Sequence, residues 1–239
     1  MSETTIELGD MTVEVVRKKI KNVHLSVYPP NGKVRISAPE HMKLDTIRVF
    51  AIAKLPWIRQ QQKKVREQER EAPREYVDRE THLVWGRRYL LKVIDSDGGY
   101  GVEVTPSKML LRAPAGATVE RRNEVVELWY RDQVREAIVP LLAKWEPIIG
   151  VKAGQIYVQR MKTRWGSCNP DTRGIRINTD LAKKPPECLE YILVHELTHL
   201  LEPTHNERFI ALMDSFMPQW RQLRDELNRL PVRHESWKY

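Results

Sequence analysis

The most informative part of the sequence is His195-Glu196-Leu197-Thr198-His199, which lies within a largely apolar segment, residues 189–201. Residues four apart in an α-helix differ by only about 40° around the axis, so both imidazoles can reach one tetrahedral ion. Glu196 is rotated by about 100° from His195, which suits a general base that takes a proton from metal-bound water. The pattern predicts a helix with one zinc ion per chain, because zinc lowers the pKa of bound water to about 7.

A third ligand is expected after a break in this helix. Pro203 is predicted to end it, and Thr204 with Glu207 has the T-x-x-E spacing of a capping box, which begins a new helix. His205 would lie in the first turn of that helix. Because the break allows the chain to fold back, His205 is the favoured third metal ligand.

Other groups compete with His205 for this position. Glu202 follows His195 by seven residues on the same helix face, and Asp214 or Glu226 offers a carboxylate farther along the chain. Glu202 and Glu207 are also candidates for orienting a ligand histidine by a hydrogen bond.

A short segment upstream supplies candidates for substrate binding or for stabilising an oxyanion: Arg164, Trp165, Gly166 and Ser167. It ends an apolar strand, and glycine there would permit close approach by another backbone or by a substrate. The next residue, Cys168, is interpreted as a buried structural thiol rather than a nucleophile.

The sequence before and through the motif predicts a strand, a turn, a second strand and a helix. Residues from Ile156 form the first strand, residues 169–174 the turn and residues 175–178 the second strand, and Pro185-Pro186-Glu187 opens the helix. Apolar residues line one face of that helix, which predicts a partly buried amphipathic helix. They are Leu189, Ile192, Leu193, Leu197, Leu200 and Leu201.

The N-terminal part predicts a small β-rich subdomain. Short alternating segments, Val13–Val15 and Val23–Val27, precede the turn Pro29-Pro30-Asn31-Gly32, so a hairpin with Val34–Ser37 is expected. One helix then follows from the spacing of its apolar residues. These are Leu44, Ile47, Phe50, Ala51, Leu55 and Ile58. Residues 60–80 are polar and of mixed charge, which is typical of an exposed helix end and a connector around Pro73.

This arrangement is predicted to recur. Strands are expected at residues 89–94, 102–104 and 109–113, before a helix that carries Val125, Val126, Trp129, Tyr130 and Val134. Both predicted strands before a helix end in Ala-Pro, at residues 34–39 and 109–114. The whole chain is therefore predicted to be α+β, with a subdomain and connector at residues 1–80, a second β-rich segment with a helix at 81–150, and a catalytic region at 151–239.

Composition limits the cellular setting. The chain has 239 residues and no apolar run long enough to cross a bilayer, and residues 1–10 lack the pattern of a secretory signal. Two cysteines without CxxC spacing favour reduced thiols, so a cytoplasmic protein without membrane contact is expected. The 40 lysines and arginines against 32 acidic residues give a net charge of +8, which could attract nucleic acid or a nucleotide.

Several of these segments together resemble the YgjP-like metal-dependent hydrolases, which are related to the SprT-like and WLM zinc proteases. They are residues 164–168, 177–181 and 191–199, with His205 and Phe209. The resemblance implies a zincin-like C-terminal peptidase region, in which His195, His199 and His205 match the ligands and Glu196 the base. His205 follows His199 closely, as in the YgjP-like branch, whereas SprT-like relatives often have the third histidine farther downstream.

The expected function is therefore a zinc metallopeptidase that acts on peptides or proteins, with Glu196 activating the water. Two alternatives keep the metal. One is a nucleotide hydrolase that cleaves phosphoanhydrides, and the other is a DNA-associated protease of the SprT-like kind. A zinc-stabilised structural module is less favoured, because a structural site has no need of a glutamate beside an open coordination position.

Overall fold

The computed structural model describes residues 3–29 and 31–233. Over these residues the chain forms three β-sheets and six α-helices, so the predicted α+β class is confirmed. It divides into two compact units, residues 3–71 with 231–233 and residues 72–230. The boundaries expected at residues 80 and 150 stay a prediction.

The first unit is built on a four-stranded sheet with the order β1-β2-β4-β3. Its strands are β1 (Glu3–Leu8), β2 (Met11–Lys18), β3 (His24–Tyr28) and β4 (Lys33–Pro39). The outer pairs are antiparallel and β2 runs parallel to β4. The predicted hairpin of β3 and β4 is confirmed, with Gly32 at a positive φ of 77° in its turn; Pro30 lies outside the described residues.

Two helices, α1 (Leu44–Ala53) and α2 (Leu55–Glu67), complete the core of this unit. The prediction of a single helix was wrong, because Pro56 has no N–H to continue the hydrogen-bond ladder and Lys54 leaves the helical conformation. The predicted buried face is nevertheless retained across both helices. Ile47, Ala51 and Ile58 are fully buried.

The second unit begins with a sheet of the same topology, β5-β6-β8-β7. Its strands are β5 (Thr81–Val84), β6 (Arg87–Asp95), β7 (Gly101–Val104) and β8 (Lys108–Ala113). Again the outer pairs are antiparallel and the central pair is parallel. The predicted recurrence is therefore confirmed in strand order and pairing, and in both units helices follow the last strand.

The helix after this sheet is α3 (Val119–Ile149). The side chain of Thr118 caps its start by accepting a hydrogen bond from the Arg121 N–H, and Gly150 ends it in the left-handed conformation. Of the apolar residues predicted on this helix, Val126, Tyr130 and Val134 are buried and Val125 and Trp129 are partly buried. The helix thereby ties the sheet to the core of the second unit.

The remainder of the second unit contains a three-stranded sheet, a 3₁₀ helix (Thr179–Lys183) and three helices. The strands are β9 (Ile156–Gln159), β10 (Gly166–Asn169) and β11 (Gly174–Asn178), and the helices are α4 (Pro186–Thr198), α5 (Glu207–Phe216) and α6 (Trp220–Arg229). In the order β10-β11-β9, β10 is an edge strand. The predicted single strand before the turn is two strands, β9 and β10, joined by a loop.

Helix α4 lies at the centre of this unit and packs against α3, α5, α6 and β10. Nine of its 13 residues are buried, so it is more deeply enclosed than the amphipathic helix that was predicted. The reason is that other elements cover it on several sides, which a one-sided apolar stripe does not reveal. None of the helices that the structure describes is long and apolar enough to cross a membrane.

The tip of the β5–β6 hairpin supports the start of α4. Trp85 and Gly86 both have positive φ angles, 48° and 77°, and the Trp85 N–H donates to the Ala182 carbonyl at 2.7 Å. A Cβ atom on Gly86 would lie 3.1 Å from Cγ of Pro185, the residue that caps α4. This contact leaves little room for any side chain at position 86.

We expect Gly86→Ala to destabilise the second unit more than Gly116→Ala does. Both glycines have a φ of 77°, so both variants carry the left-handed penalty of about 1–2 kcal/mol. Only Gly86→Ala adds a close contact, with Pro185, whereas a Cβ at Gly116 meets nothing within 4 Å. Urea unfolding should show a further loss of about 1 kcal/mol for Gly86→Ala. Equal losses in the two variants would mean that the hairpin tip does not brace α4.

Candidate metal centre

The centre begins at the C-terminal end of α4. His195 lies in the last turn of the helix, and His199 is the residue that caps its end. The helix therefore ends at Thr198, five residues before Pro203, and the predicted end at the proline was wrong. The Leu200 and Leu201 N–H groups bond to carbonyls three residues earlier, a tighter turn that ends the α-helix without the proline.

A short loop then returns the chain to the helix end. His205 Nε2 lies 3.0 Å from His195 Nε2, and one ring nitrogen from each of the three histidines lies within 4.8 Å of the others. Among the described residues, these three histidines form the one group of potential ligand side chains that could hold a metal ion. His195 is half-buried, His199 buried and His205 exposed, so the cluster has one open side.

The predicted capping box does not form. The N-cap of α5 is Asn206, whose side chain accepts a hydrogen bond from the Phe209 N–H at 3.0 Å. The Thr204 hydroxyl instead donates to Oε1 of Glu202 at 2.9 Å. His205 therefore precedes the helix instead of lying in its first turn, and Asn206 fixes the point where the loop ends.

Glu202 contacts His199 through its main chain. Its carbonyl oxygen lies 3.1 Å from His199 Nδ1, which places the proton on Nδ1 and leaves the Nε2 lone pair for an ion. Its carboxylate accepts hydrogen bonds from Thr204, which lower the pKa of Glu202. The side chain is thus engaged with the loop, away from the ring nitrogens.

The remaining carboxylates that were considered lie elsewhere. Asp214, on α5, accepts hydrogen bonds from Trp220 and Arg221. Glu226 lies on α6, and Glu207 is exposed as the first residue of α5. The structure does not bring any of these three into the histidine cluster.

Phe209 forms the floor of the cluster. Its ring is 2% exposed, and its centroid lies 4.6–4.9 Å from those of all three histidines, stacked on His199. Such a ring limits the orientations open to the imidazoles. Reasoning from the residues gave Phe209 no role, although it was part of the family resemblance.

Glu196 is 5% exposed, and burial raises its pKa to about 8 while the charge of Arg164 lowers it. A Cβ atom on Gly166 would lie 2.5 Å from Glu196 Oε1, so only glycine fits beside the carboxyl group. The close approach expected at Gly166 is therefore made by the Glu196 side chain.

Burial also lowers the pKa of the histidines. The pKa of His195 falls to about 3, with a further contribution from His199 and His205, and the pKa of His199 is lowered mainly by burial. His195 Nδ1 is buried without a hydrogen-bond partner. At neutral pH both imidazoles are uncharged, which is the form that binds metal ions.

The upstream segment runs from an exposed loop into the edge strand β10. Arg164 is exposed, Trp165 lies against the ammonium group of Lys184 at 5.7 Å, and Ser167 pairs with Arg176 in the sheet. Burial and the charge of Glu196 raise the pKa of Cys168 to about 11, so this thiol stays protonated at neutral pH.

Asn178 is a positioning residue that reasoning from the residues alone did not identify. Its Nδ2 donates to the carbonyls of Met161 and Arg164, both at 2.8 Å, and its Oδ1 accepts from the Asp180 N–H. The Asn178 N–H also donates to the Trp165 carbonyl. This buried amide therefore fixes the loop that brings Arg164 and Gly166 to Glu196. A polar residue at the end of an apolar strand was the available signal.

The fold and the centre place the protein among the metallopeptidases: a buried helix carries two histidines one turn apart, and a loop returns a third beside them. Residues 21–230 match the model described as YgjP-like, metallopeptidase domain, which covers most of the chain. The chain belongs to this YgjP-like family and is a metal-dependent peptidase.

Similar solved structures include two archaeal metallopeptidase zymogens. Abylysin of Pyrococcus abyssi is 22% identical, with a TM-score of 0.35, over 37% of this chain and 89% of that chain. Jannalysin of Methanocaldococcus jannaschii is 18% identical, with a TM-score of 0.35, over 38% of this chain and 87% of that chain. A comparison with curated proteins found no match.

We expect Asn178→Asp to destabilise the second unit by about 2 kcal/mol or more, since a carboxylate would face two carbonyl oxygens that now accept hydrogen bonds. Asn169→Asp is the matched control. Asn169 only accepts, from the N–H groups of Asp171 and Thr172, so an aspartate can replace it at a cost below about 0.5 kcal/mol. Urea unfolding at pH 7 measures both. Similar stability of the two variants would contradict the assigned role of Asn178.

Proposed function

We propose that the chain is a zinc-dependent peptidase that holds one zinc ion through His195, His199 and His205 and uses Glu196 as its general base. The observation that carries this proposal is the convergence of three imidazole nitrogens at the end of a buried helix, beside a buried carboxyl group. Catalytic zinc sites use three protein ligands and leave a fourth position for water or substrate.

The spacing of the nitrogens supports the assignment. Two nitrogens bound to one tetrahedral zinc ion are about 3.3 Å apart, given Zn–N distances of about 2.0–2.1 Å. His195 Nε2 and His205 Nε2 are 3.0 Å apart, so a small movement of either ring would admit an ion. His199 is held by the Glu202 carbonyl in the tautomer that presents Nε2. A bound zinc ion would polarise the scissile carbonyl and make water a stronger nucleophile near neutral pH.

Glu196 is suited to moving the proton. A general base works best when its pKa lies near the operating pH, and burial brings that of Glu196 to about 8. The positive charges of a zinc ion and of Arg164 would favour its ionised form. With Gly166 against it, the carboxyl group has little freedom to turn away, so it would take a proton from water and pass it to the leaving amine.

The edge strand β10 offers a place for an extended substrate. It pairs with β11 on one side, and no described strand pairs with its other side. A substrate segment could add to this edge through main-chain hydrogen bonds. Ser167 is on this strand, whereas Trp165 and the exposed Arg164 directly precede it, and Arg164 could stabilise an oxyanion. The cytoplasmic location and a nucleic-acid partner stay predictions.

Elemental mass spectrometry should find about one zinc per chain, and His205→Ala should retain zinc at least tenfold less well. His41→Ala, at an exposed histidine of the first unit, should keep the full content. The comparison after dialysis against a mild chelator tests the ligand set. Full zinc content in His205→Ala would reject His205 as a ligand, and no metal even after zinc is supplied would reject the site.

Glu196→Gln should keep the zinc and lose hydrolysis of a quenched peptide library by about 10²–10⁴-fold. The amide has the shape of the carboxyl group and fits beside Gly166, so the fold should be retained. Glu207→Gln is the control, because Glu207 is exposed and lies outside the cluster. Full activity in Glu196→Gln would rule out the proposed base.

A further inference from the structure

The first unit carries most of the net positive charge of the chain. Residues 1–71 contain 14 lysines and arginines against nine acidic residues, which accounts for +5 of the overall +8. The longer second unit is therefore close to neutral. A concentration of charge on the unit without the metal centre points to a binding role for that unit.

A cleft of about 620 Å³ lies within this unit. It is bounded by the tip of the β1–β2 hairpin, the turn before β4 and the second half of α2. Four of the residues that line it are cationic, Lys33, Arg59, Lys63 and Arg66. The cleft is large enough for several residues of a bound chain and is mostly positive.

The second unit, which repeats the topology of the first, shows a chain segment bound between a hairpin tip and a helix. In the second unit, the tip of the equivalent hairpin, β5–β6, and the long helix α3 hold the 3₁₀ helix between them. The Trp85 N–H donates to the Ala182 carbonyl at 2.7 Å, and the ammonium group of Lys183 lies 5.5 Å from the ring of Tyr130. In the second unit a short chain segment thus lies against a hairpin tip and a helix, whereas in the first unit a hairpin tip and a helix border an open cleft.

Two of these cations, Arg59 and Lys63, can turn to a ligand at little cost. Arg59 pairs with Asp10 at 3.4 Å and Lys63 with Glu67 at 3.8 Å, and all four side chains are more than half exposed. Exposed pairs of this kind contribute only about 0–1 kcal/mol, so a ligand carboxylate can replace Asp10 or Glu67.

We propose that this cleft is a docking site for an acidic peptide segment of the protein substrate. Charge complementarity carries the proposal, and the chain segment held between a hairpin tip and a helix in the second unit shows that such a place can accept a peptide. It rests on the proposed peptidase function only for the statement that the docked protein is a substrate. Docking on the unit without the metal centre would raise the local concentration of the cleavable segment.

A peptide fits the cleft better than a nucleic acid does. Proteins that bind single strands stack bases on aromatic rings, and none of the described residues that line the cleft is aromatic. Asp10 and Glu67 also lie in it, which disfavours a continuous row of phosphates. The guanidinium groups of Arg59 and Arg66 match the planar carboxylates of glutamate and aspartate.

The test uses the full chain and a fluorescein-labelled peptide of eight glutamates, with binding measured by anisotropy. The triple variant R59Q/K63Q/R66Q removes three cations of the cleft. The control K43Q/K54Q/K64Q removes the same charge from positions of the same unit that do not line it. We expect binding to weaken by roughly tenfold or more in the first variant and by less than about threefold in the second.

Three outcomes would overturn the docking site: absence of binding, equal loss in both variants, or tighter binding of an eight-nucleotide DNA strand with the same dependence on the three cations. Hydrolysis separates this proposal from the proposed function. For a cleavable peptide with a glutamate tail, R59Q/K63Q/R66Q should raise KM about tenfold at unchanged kcat, and for the tailless peptide it should change neither. Peptide binding without any hydrolysis would reject the peptidase and keep the docking site. Hydrolysis of the tailed peptide with the same KM in both variants would reject the docking site and keep the peptidase.

Discussion

The desolvation of helix α4 governs the chemistry of the whole second unit. A helix that is enclosed by three other helices and a sheet carries His195 and Glu196 out of water. Burial disfavours the charged form of each, which lowers the pKa of the histidine and raises that of the glutamate. The same low-dielectric surroundings strengthen the attraction between neutral imidazoles, a carboxylate and a cation. The enclosure therefore costs stability in the free protein and favours a bound ion.

Local sequence patterns correctly predicted the features that depend only on residues close together in the chain. The pairing of His195 with His199 follows from helical geometry alone, and the hairpin at Gly32 follows from its turn residues. The return of His205 to the helix end was inferred from a proline, although the structure ends the helix earlier by tighter turn bonding. His205 does lie beside His195, but Pro203 is not the cause, because any break of the helix in that segment shortens the path back to His195.

Contacts that no spacing rule predicts account for what the sequence did not reveal. Asn178 acts through the carbonyls of a loop that lies 14 and 17 residues upstream, and no spacing rule connects them. Asn206 replaced Thr204 as the cap because Glu202 engages the threonine hydroxyl. Phe209 contacts the histidines only because α5 packs on α4. Each of these depends on which groups are already occupied in the folded chain.

The three histidines fall within 11 consecutive residues. Closing so short a loop costs little chain entropy, and the first two histidines need only one turn of helix. Gly166, in contrast, reaches Glu196 only after β10 has paired with β11 and packed on α4. The ligand cluster can therefore assemble from short-range contacts early in folding, whereas the carboxyl group becomes confined late. A chain that captured an ion while folding would therefore hold it before Gly166 confines the Glu196 carboxyl group beside it.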